Sequence, residues 1–470
     1  MRAYLSELPA KYFEAISAIP RASGNEAAIA DYLVAFAAAR GLSHYRDAAN
    51  NVLIKKSATR GRAGEPPLLL QAHTDMVAEK NADVAWDFAT EGVRLCQKGN
   101  ILSANGTTLG ADDGCGVAIM LSVLDGGAAS HPPLECLFTA SEEIGLLGAK
   151  AFDYSRITAR RVLNLDSASE SEIIVGCCGG MRTEITLPIA VTRGKALAVR
   201  LLLTGLAGGH SGEDIHKSRA NAHVTMGKLL SELKKHTDFR LCSLAGGDKD
   251  NAIPRECEAV LTADDSAGLA AFLARAEDVL RQMMQSAEDA DVRLHIEYSE
   301  TESCLTRQST ASVLSLLGVP NGVLEARGGL PYTSRNLAKI STADDALIFG
   351  FSSRSSSEAA LDASAAELDA QAHALGGKTK HFARYPGWDG SAESPLCRAW
   401  QAAYQRITGK ACPATTIHAG LECGIISSAL GGAEAISVSC NIYDLHTPAE
   451  RVELDSFERV YQTLLAFLQS

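Results

Sequence analysis

Four short apolar runs, each leading into a side chain that can ligate or ionise, constrain this chain more than any other feature. PLLLQAH ends on His73, LECLFTA leads into Glu142 and Glu143, RVLNLDS contains Asp166, and AISVSC precedes NIYDLH with His446. Runs of this length, bounded by turn formers, read as strands buried on both faces, as in a largely parallel sheet. GADDGCGVAIMLSVLDGG opens as a glycine-rich turn and continues as an apolar helix. In an open α/β sheet, ligands gather where strands end and loops begin. The polar residues named above fall on that edge.

From residue 186 the texture changes. ALAVRLLLTGL, ECEAVLTADD, VRLHIEYSE and ALIFGFSSRSS alternate like half-buried strands, and Ala-rich helices lie between them. Strand, long helix and strand recur over 256–298 and 346–385, which reads as a weak internal repeat. From residue 386 the first texture resumes. The expected architecture is an α/β domain with a mostly parallel sheet and helices on both faces, built from residues 1–185 and 386–470. An α+β lid domain, residues 186–385, interrupts it. At 470 residues and 46% hydrophobic content the chain can supply two cores.

Charge and cysteine usage exclude several function classes. The balance of 44 basic against 56 acidic residues gives −12, which argues against nucleic acid or an anionic membrane as partner. The opening segment reads as an amphipathic helix, not a signal peptide. No stretch approaches the ~20 apolar residues of a membrane span. Twelve cysteines, scattered singly except for Cys177-Cys178, are expected to be reduced thiols in the cytoplasm.

The chemistry lies in the acidic and imidazole residues. His73 and Asp75 are two apart on an extended segment, so both point the same way. Asp75 can then accept the second N–H of a ligating His73 and fix its tautomer. Asp112 and Asp113 sit at a strand-to-helix turn among Gly110, Gly114 and Gly116, where adjacent carboxylates repel unless a cation neutralises them. Of Glu142 and Glu143, one can bind a metal while the other acts as general base. With Asp166 and His446 the inventory fits two divalent ions sharing a bridging carboxylate. Mixed N/O donors without thiolate favour Zn2+, with Mn2+ or Co2+ tolerated.

Together these motifs resemble the co-catalytic zinc peptidases that include aminoacylases, glutamate carboxypeptidases and di- and tripeptidases. The chain looks most like the aminoacyl-histidine dipeptidases (Xaa-His dipeptidase, peptidase D). HTDMV, LGADDGCG, SEEIGLLGA, NLDS with VGCCGG, GGHSGEDIH, NAIPRE, IHAGLECG and His446 occur in that family's order, nearly end to end. The resemblance implies His73 and Asp166 as ligands of one zinc, Glu143 and His446 as ligands of the other, and Asp112 as the bridge. It makes Glu142 the general base and Asp75 the partner of His73, and it places a cis peptide bond at Asp112–Asp113. From the lid it implies His210 as an oxyanion contact. Asn251, Arg354 and Gly420 become contacts to the substrate's C-terminal end, and the lid becomes the route to a homodimer. Arg335 in TSRN competes with Arg354 for the carboxylate, and His216 and Glu422 are expected to support the site.

This sequence departs from close relatives at Asp113 (often Asn), Cys115 (often branched apolar) and Arg335 (usually small and polar). The implied activity is hydrolysis of Xaa-His or broad dipeptides by water that Glu142 deprotonates. A tripeptidase, an N-acyl amino-acid deacylase, an inactive metal-binding protein and a Cys177-Cys178 redox protein are the alternatives.

Overall fold

A computed structural model describes residues 8–470. Residues 1–7, which begin the segment read as an amphipathic helix, lie outside the described residues; the helix runs Ala10–Ser17. Contacts divide the chain into two units. One runs to Cys177 and takes up Trp388–Ile417 and Leu421–Ser470; the other comprises Cys178–Gly387 with His418–Gly420.

The first unit is built on a nine-stranded sheet. Its centre is parallel: Leu134–Thr139, Leu68–His73, Arg161–Asn164 and Glu434–Ser437 lie side by side. Antiparallel strands flank it, Val52–Lys56 and Ser43–Arg46 on one side, Ile173–Cys177 and Trp388–Asp389 on the other. The run Leu68–His73 is buried throughout, as expected for a strand covered on both faces. Leu68, Leu70 and Ala72 join one core with Phe13, Val117 and Phe457, while Leu69 joins the opposite core with Leu137, Val162 and Ile426. Each buried leucine contributes roughly 1.5–3 kcal/mol, so both layers of helices hold the strand in place.

Register then sets the functional edge. His73 pairs with Thr139 and Gln71 with Asn164, so three parallel strands end together and release their loops on one side. A smaller four-stranded sheet contributes a second device. Ile442–Tyr443 pairs with Arg451–Glu453, and the connection between them, residues 444–450, carries His446.

The second unit has a four-stranded sheet, a five-stranded sheet and one continuous apolar core. It begins at Cys178 because Gly179–Pro188 pairs with Ala346–Ser355 and Lys378–Tyr385, all of this unit. The change of texture at residue 186 therefore falls inside a strand. The two strand–helix–strand stretches lie in different sheets. Cys257–Ala263 and Arg293–Leu305 flank Val191–Thr204, whereas Ala346–Ser355 and Lys378–Tyr385 flank Gly179–Pro188. The first stretch carries two short helices, Ser266–Leu273 and Ala276–Met283, instead of one long helix. No helix among the described residues is long and apolar enough to cross a membrane.

Candidate metal centre

The ends of the parallel strands bring His73, Glu143 and Asp166 together with Asp112, from the turn into Ala111–Ser122, and His446, from the 444–450 connection. His73 Nε2 lies 2.9 Å from Asp112 Oδ1 and 3.7 Å from Asp166 Oδ1. The other Asp112 oxygen is 3.3 Å from His446 Nε2, which is itself 3.0 Å from Glu143 Oε1. One carboxylate thus stands between two imidazoles that are 373 residues apart in sequence.

Local backbone geometry delivers Asp112. The turn into the helix Ala111–Ser122 passes through Gly110 at φ +68°, and the Asp112–Asp113 peptide bond is cis. A side chain on Gly110 would meet Arg21 Nη2 and Met76 Sδ at 2.5 and 2.7 Å, so only glycine fits. His446 likewise has positive φ, +61°, in its seven-residue connection.

Asp75 does more than support His73. His73 Nδ1 lies 3.5 Å from Asp75 Oδ1 and 3.2 Å from the Asp75 backbone oxygen. The same carboxylate accepts the backbone N–H of Glu142 at 2.9 Å and of Glu143 at 3.2 Å, and the Ser23 hydroxyl at 2.8 Å. It ties the loop of the paired glutamates to the end of the His73 strand.

Whether the residues suit a divalent cation is decided by their donor atoms. His73, Asp112 and Glu143 offer ligand atoms within 4.8 Å of one another, all imidazole or carboxylate. Glu143 Oε1 is buried and makes no hydrogen bond despite its approach to His446. Lone pairs directed at a common point, not at each other, have this geometry. The set fits a hard or borderline divalent ion.

Electrostatics agree. Burial alone would lower His446, but Asp112 and Glu143 push it up to about 11. Burial opposes protonation of His73 too, and Asp166 and Asp112 carry it well above its usual range. For Asp112 burial acts upward, yet His446 and His73 hold the carboxyl below the ordinary range. Desolvation, reinforced by Glu143 and Asp166, raises Glu142 well above a normal carboxyl. Asp113 is also raised, by burial and then by Asp166, while its oxygens accept the His73 and Gly116 N–H groups. A neutral aspartic acid is close to isosteric with asparagine, the residue that the family resemblance leads one to expect here.

Beneath the strand ends, Glu422 Oε2 accepts from Gln71 at 2.5 Å and Thr139 at 2.6 Å, and Gln71 accepts from Asn164. Burial raises Glu422 to about 7. This network ties together the three strands that precede His73, Glu142 and Asp166.

In the second unit, Gly209–His210 pairs with Ala252–Ile253, and Ser211 N–H donates to Asn251 O at 2.7 Å, so the His210 and Asn251 loops adjoin. Arg354 Nη1 donates to the Tyr385 hydroxyl at 2.8 Å, and Gly420 packs against the same Tyr385 ring. Gly212 lies against His418 and Arg354. Tyr385 and His418 belong to this cluster without having been singled out in the sequence. His216 is exposed on the turn Ile215–Lys217.

Arg335 and Arg354 are separated by the pleat. Ser334 pairs with Arg354 and Arg335 with Ser353, so the two guanidinium groups leave opposite faces of one sheet. Arg335 is fully buried against the helix Glu358–Ala374, donating to Ser364, Pro320 O and Glu367. Arg354 Nε has no hydrogen-bond partner.

None of the twelve cysteines forms a disulfide, Cys177 and Cys178 included.

Comparison with known proteins places the chain among peptidases. A Peptidase family M28 model matches residues 51–192, and a Peptidase dimerisation domain model (M20 type) matches 202–289. The cytosol non-specific dipeptidase of Escherichia coli (strain K12) is 34% identical over 465 residues, covering 97% of this chain and 96% of that protein. The structure of aminoacylhistidine dipeptidase from Vibrio alginolyticus superposes with a TM-score of 0.84 at 32% identity, covering 99% of this chain and 97% of that one. Aminopeptidase PepT from Bacillus cereus shares the fold at 16% identity and a TM-score of 0.58, covering 98% and 97%. With a likeness that spans both chains from end to end, this protein belongs to the dipeptidase family of the E. coli and V. alginolyticus enzymes, hydrolases of the peptide bond.

Proposed function

We propose that this chain is a cytoplasmic dipeptidase that works with two zinc ions and acts on Xaa-His or similar dipeptides. The placement of Asp112 between His73 and His446 carries this reading. His73 with Asp166 and His446 with Glu143 would hold one ion each, and Asp112, which lies between the two imidazoles, would serve both. Bound divalent ions provide Lewis acidity and lower the pKa of water toward ~7.

The chain's own residues perform the proton transfers. Glu142, half-buried, takes a proton from the attacking water and returns it to the leaving amine. Asp75 keeps Glu142 and Glu143 in register with His73 through their backbone N–H groups. His210 steadies the developing oxyanion, a role worth about 2.7–4 kcal/mol for one donor in comparable acyl-transfer sites. Arg354, with Asn251 and Gly420, holds the substrate's C-terminal carboxylate, and the second unit is the route to a homodimer.

The name of the V. alginolyticus relative supports Xaa-His substrates, and that of the E. coli relative supports a broader dipeptidase. Rates on Xaa-His, Xaa-Gly, a tripeptide and an N-acetyl amino acid separate these readings. Glu142→Ala should abolish turnover of every dipeptide while metal content stays near that of the unaltered protein. Loss of metal together with activity would overturn the role given to Glu142.

A further inference from the structure

Glu450 is buried, 2% exposed, and lies in the 444–450 connection that carries His446. Its carboxylate accepts four consecutive backbone N–H groups. Oε2 takes those of Leu109 at 2.9 Å and Gly110 at 3.0 Å; Oε1 takes those of Ala111 at 2.7 Å and Asp112 at 3.3 Å. These donors belong to the irregular turn that enters the helix Ala111–Ser122, where backbone N–H groups lack intrahelical partners. The carboxylate therefore binds the loop that delivers Asp112, and it does so from the turn that delivers His446.

Arg21 is the counterpart. Also buried, it donates through Nη2 to Gly110 O, and through Nη1 to Thr74 O at 3.1 Å and Asp75 O at 3.2 Å. It joins the same loop to the segment just after His73. Glu450 thus holds the N–H groups of residues 109–112 and Arg21 the carbonyl of Gly110, each reaching to a different imidazole-bearing segment.

We propose that Glu450, with Arg21 opposite it in charge, is a positioning residue that sets Asp112 at its spacing between His73 and His446. Neither side chain touches the ligand atoms; both act through the backbone of residues 109–112. The inference rests on the reading of His73, Asp112 and His446 as metal ligands. Groups that orient metal ligands change affinity or activity by about 10–100-fold when altered, and Glu450→Gln should fall in that range. An amide would turn an NH2 toward one pair of N–H donors and release the end of the loop nearer to or farther from Asp112.

The test is titration of the metal-free full-length protein with Co2+, followed by visible absorption, together with kcat and KM of the loaded enzyme. Glu450→Gln is expected to bind Co2+ about 10–100-fold more weakly, with shifted absorption bands and a fall in kcat at near-constant KM. Glu450→Asp and Arg21→Lys, which keep the charge, should show smaller losses in the same direction. Unchanged isotherms, spectra and kcat in these variants overturn the proposal, whatever happens to the melting temperature. Failure of all three to fold also counts against it, because Glu450 would then be a residue of stability and not of metal spacing. Asp112→Asn separates the two levels. If the unaltered protein binds no Co2+, or Asp112→Asn binds it normally, the metal-site reading itself fails; if Asp112→Asn is weakened and Glu450→Gln is not, only the positioning role fails.

Discussion

Replacing Asp75 with Asn keeps the shape of the side chain and removes one of its two acceptor oxygens. Three donors converge on that carboxylate: Glu142 N–H, Glu143 N–H and the Ser23 hydroxyl. The less damaging amide rotamer leaves its oxygen on Glu142, whose bond at 2.9 Å is the shorter of the two backbone contacts. The NH2 then faces Glu143 N–H and Ser23, whose oxygen can accept it while its hydrogen turns to Met76 O. A charge-assisted bond worth roughly 1.5–3 kcal/mol disappears, and the Glu143 N–H remains buried without a partner, for a total of about 2–4 kcal/mol. If this falls on the placement of Glu142 and Glu143, kcat/KM drops by about 30- to 900-fold at 1.36 kcal/mol per tenfold. Steady-state hydrolysis of a dipeptide at pH 7.5, with metal content measured on the same samples, reads the effect. A change of less than threefold with full metal content would show that Asp75 does not hold the glutamate loop.

Two further predictions follow from the same geometry. Arg354→Lys should raise KM about 10- to 150-fold, as loss of a charge-assisted contact worth roughly 1.5–3 kcal/mol implies; Arg335→Lys, on the opposite face, should lower the melting temperature and leave KM within about twofold of the unaltered value. Equal effects on KM would show that the sheet face does not assign the carboxylate contact. In the metal-free protein, His446 is held protonated by Asp112 and Glu143 up to about pH 11, so its contribution to stability is present below the unfolded value near 6.5 and is lost only as pH rises through about 11. Loading metal at pH 7.5 must therefore displace protons. Calorimetric titration with Zn2+ in two buffers of different ionisation enthalpy should give proton release, and heats that are the same in both buffers would refute it.

Much of the candidate site could be read from the chain because each candidate ligand lies beside a segment whose burial is written locally. Leu68–His73 opens on three leucines and proves buried along its whole length, and His73 is its last residue. Asp112, Glu143, Asp166 and His446 were legible in the same way, each beside a buried run and a turn. Arg21, Ser23 and Glu450 left no such mark. They lie in loops without periodicity, and their partners are 52–341 residues away. Tyr385 reads as an ordinary aromatic before Pro-Gly until Arg354 is placed against it.

The sequence by itself determined which short segments are the buried strands leading to the site and which side chains could hold a cation. Burial and periodicity suffice for that, because each short segment carries its own pattern. Only the tertiary structure decided which loops meet: that Asp75 spans to the Glu142–Glu143 backbone, that Glu450 receives the N-terminus of the Ala111–Ser122 helix, and that Arg335 faces a helix while Arg354 faces the other side of its sheet. Strand register and loop closure set those meetings, and both depend on the packing of the whole chain and not on any one segment of it.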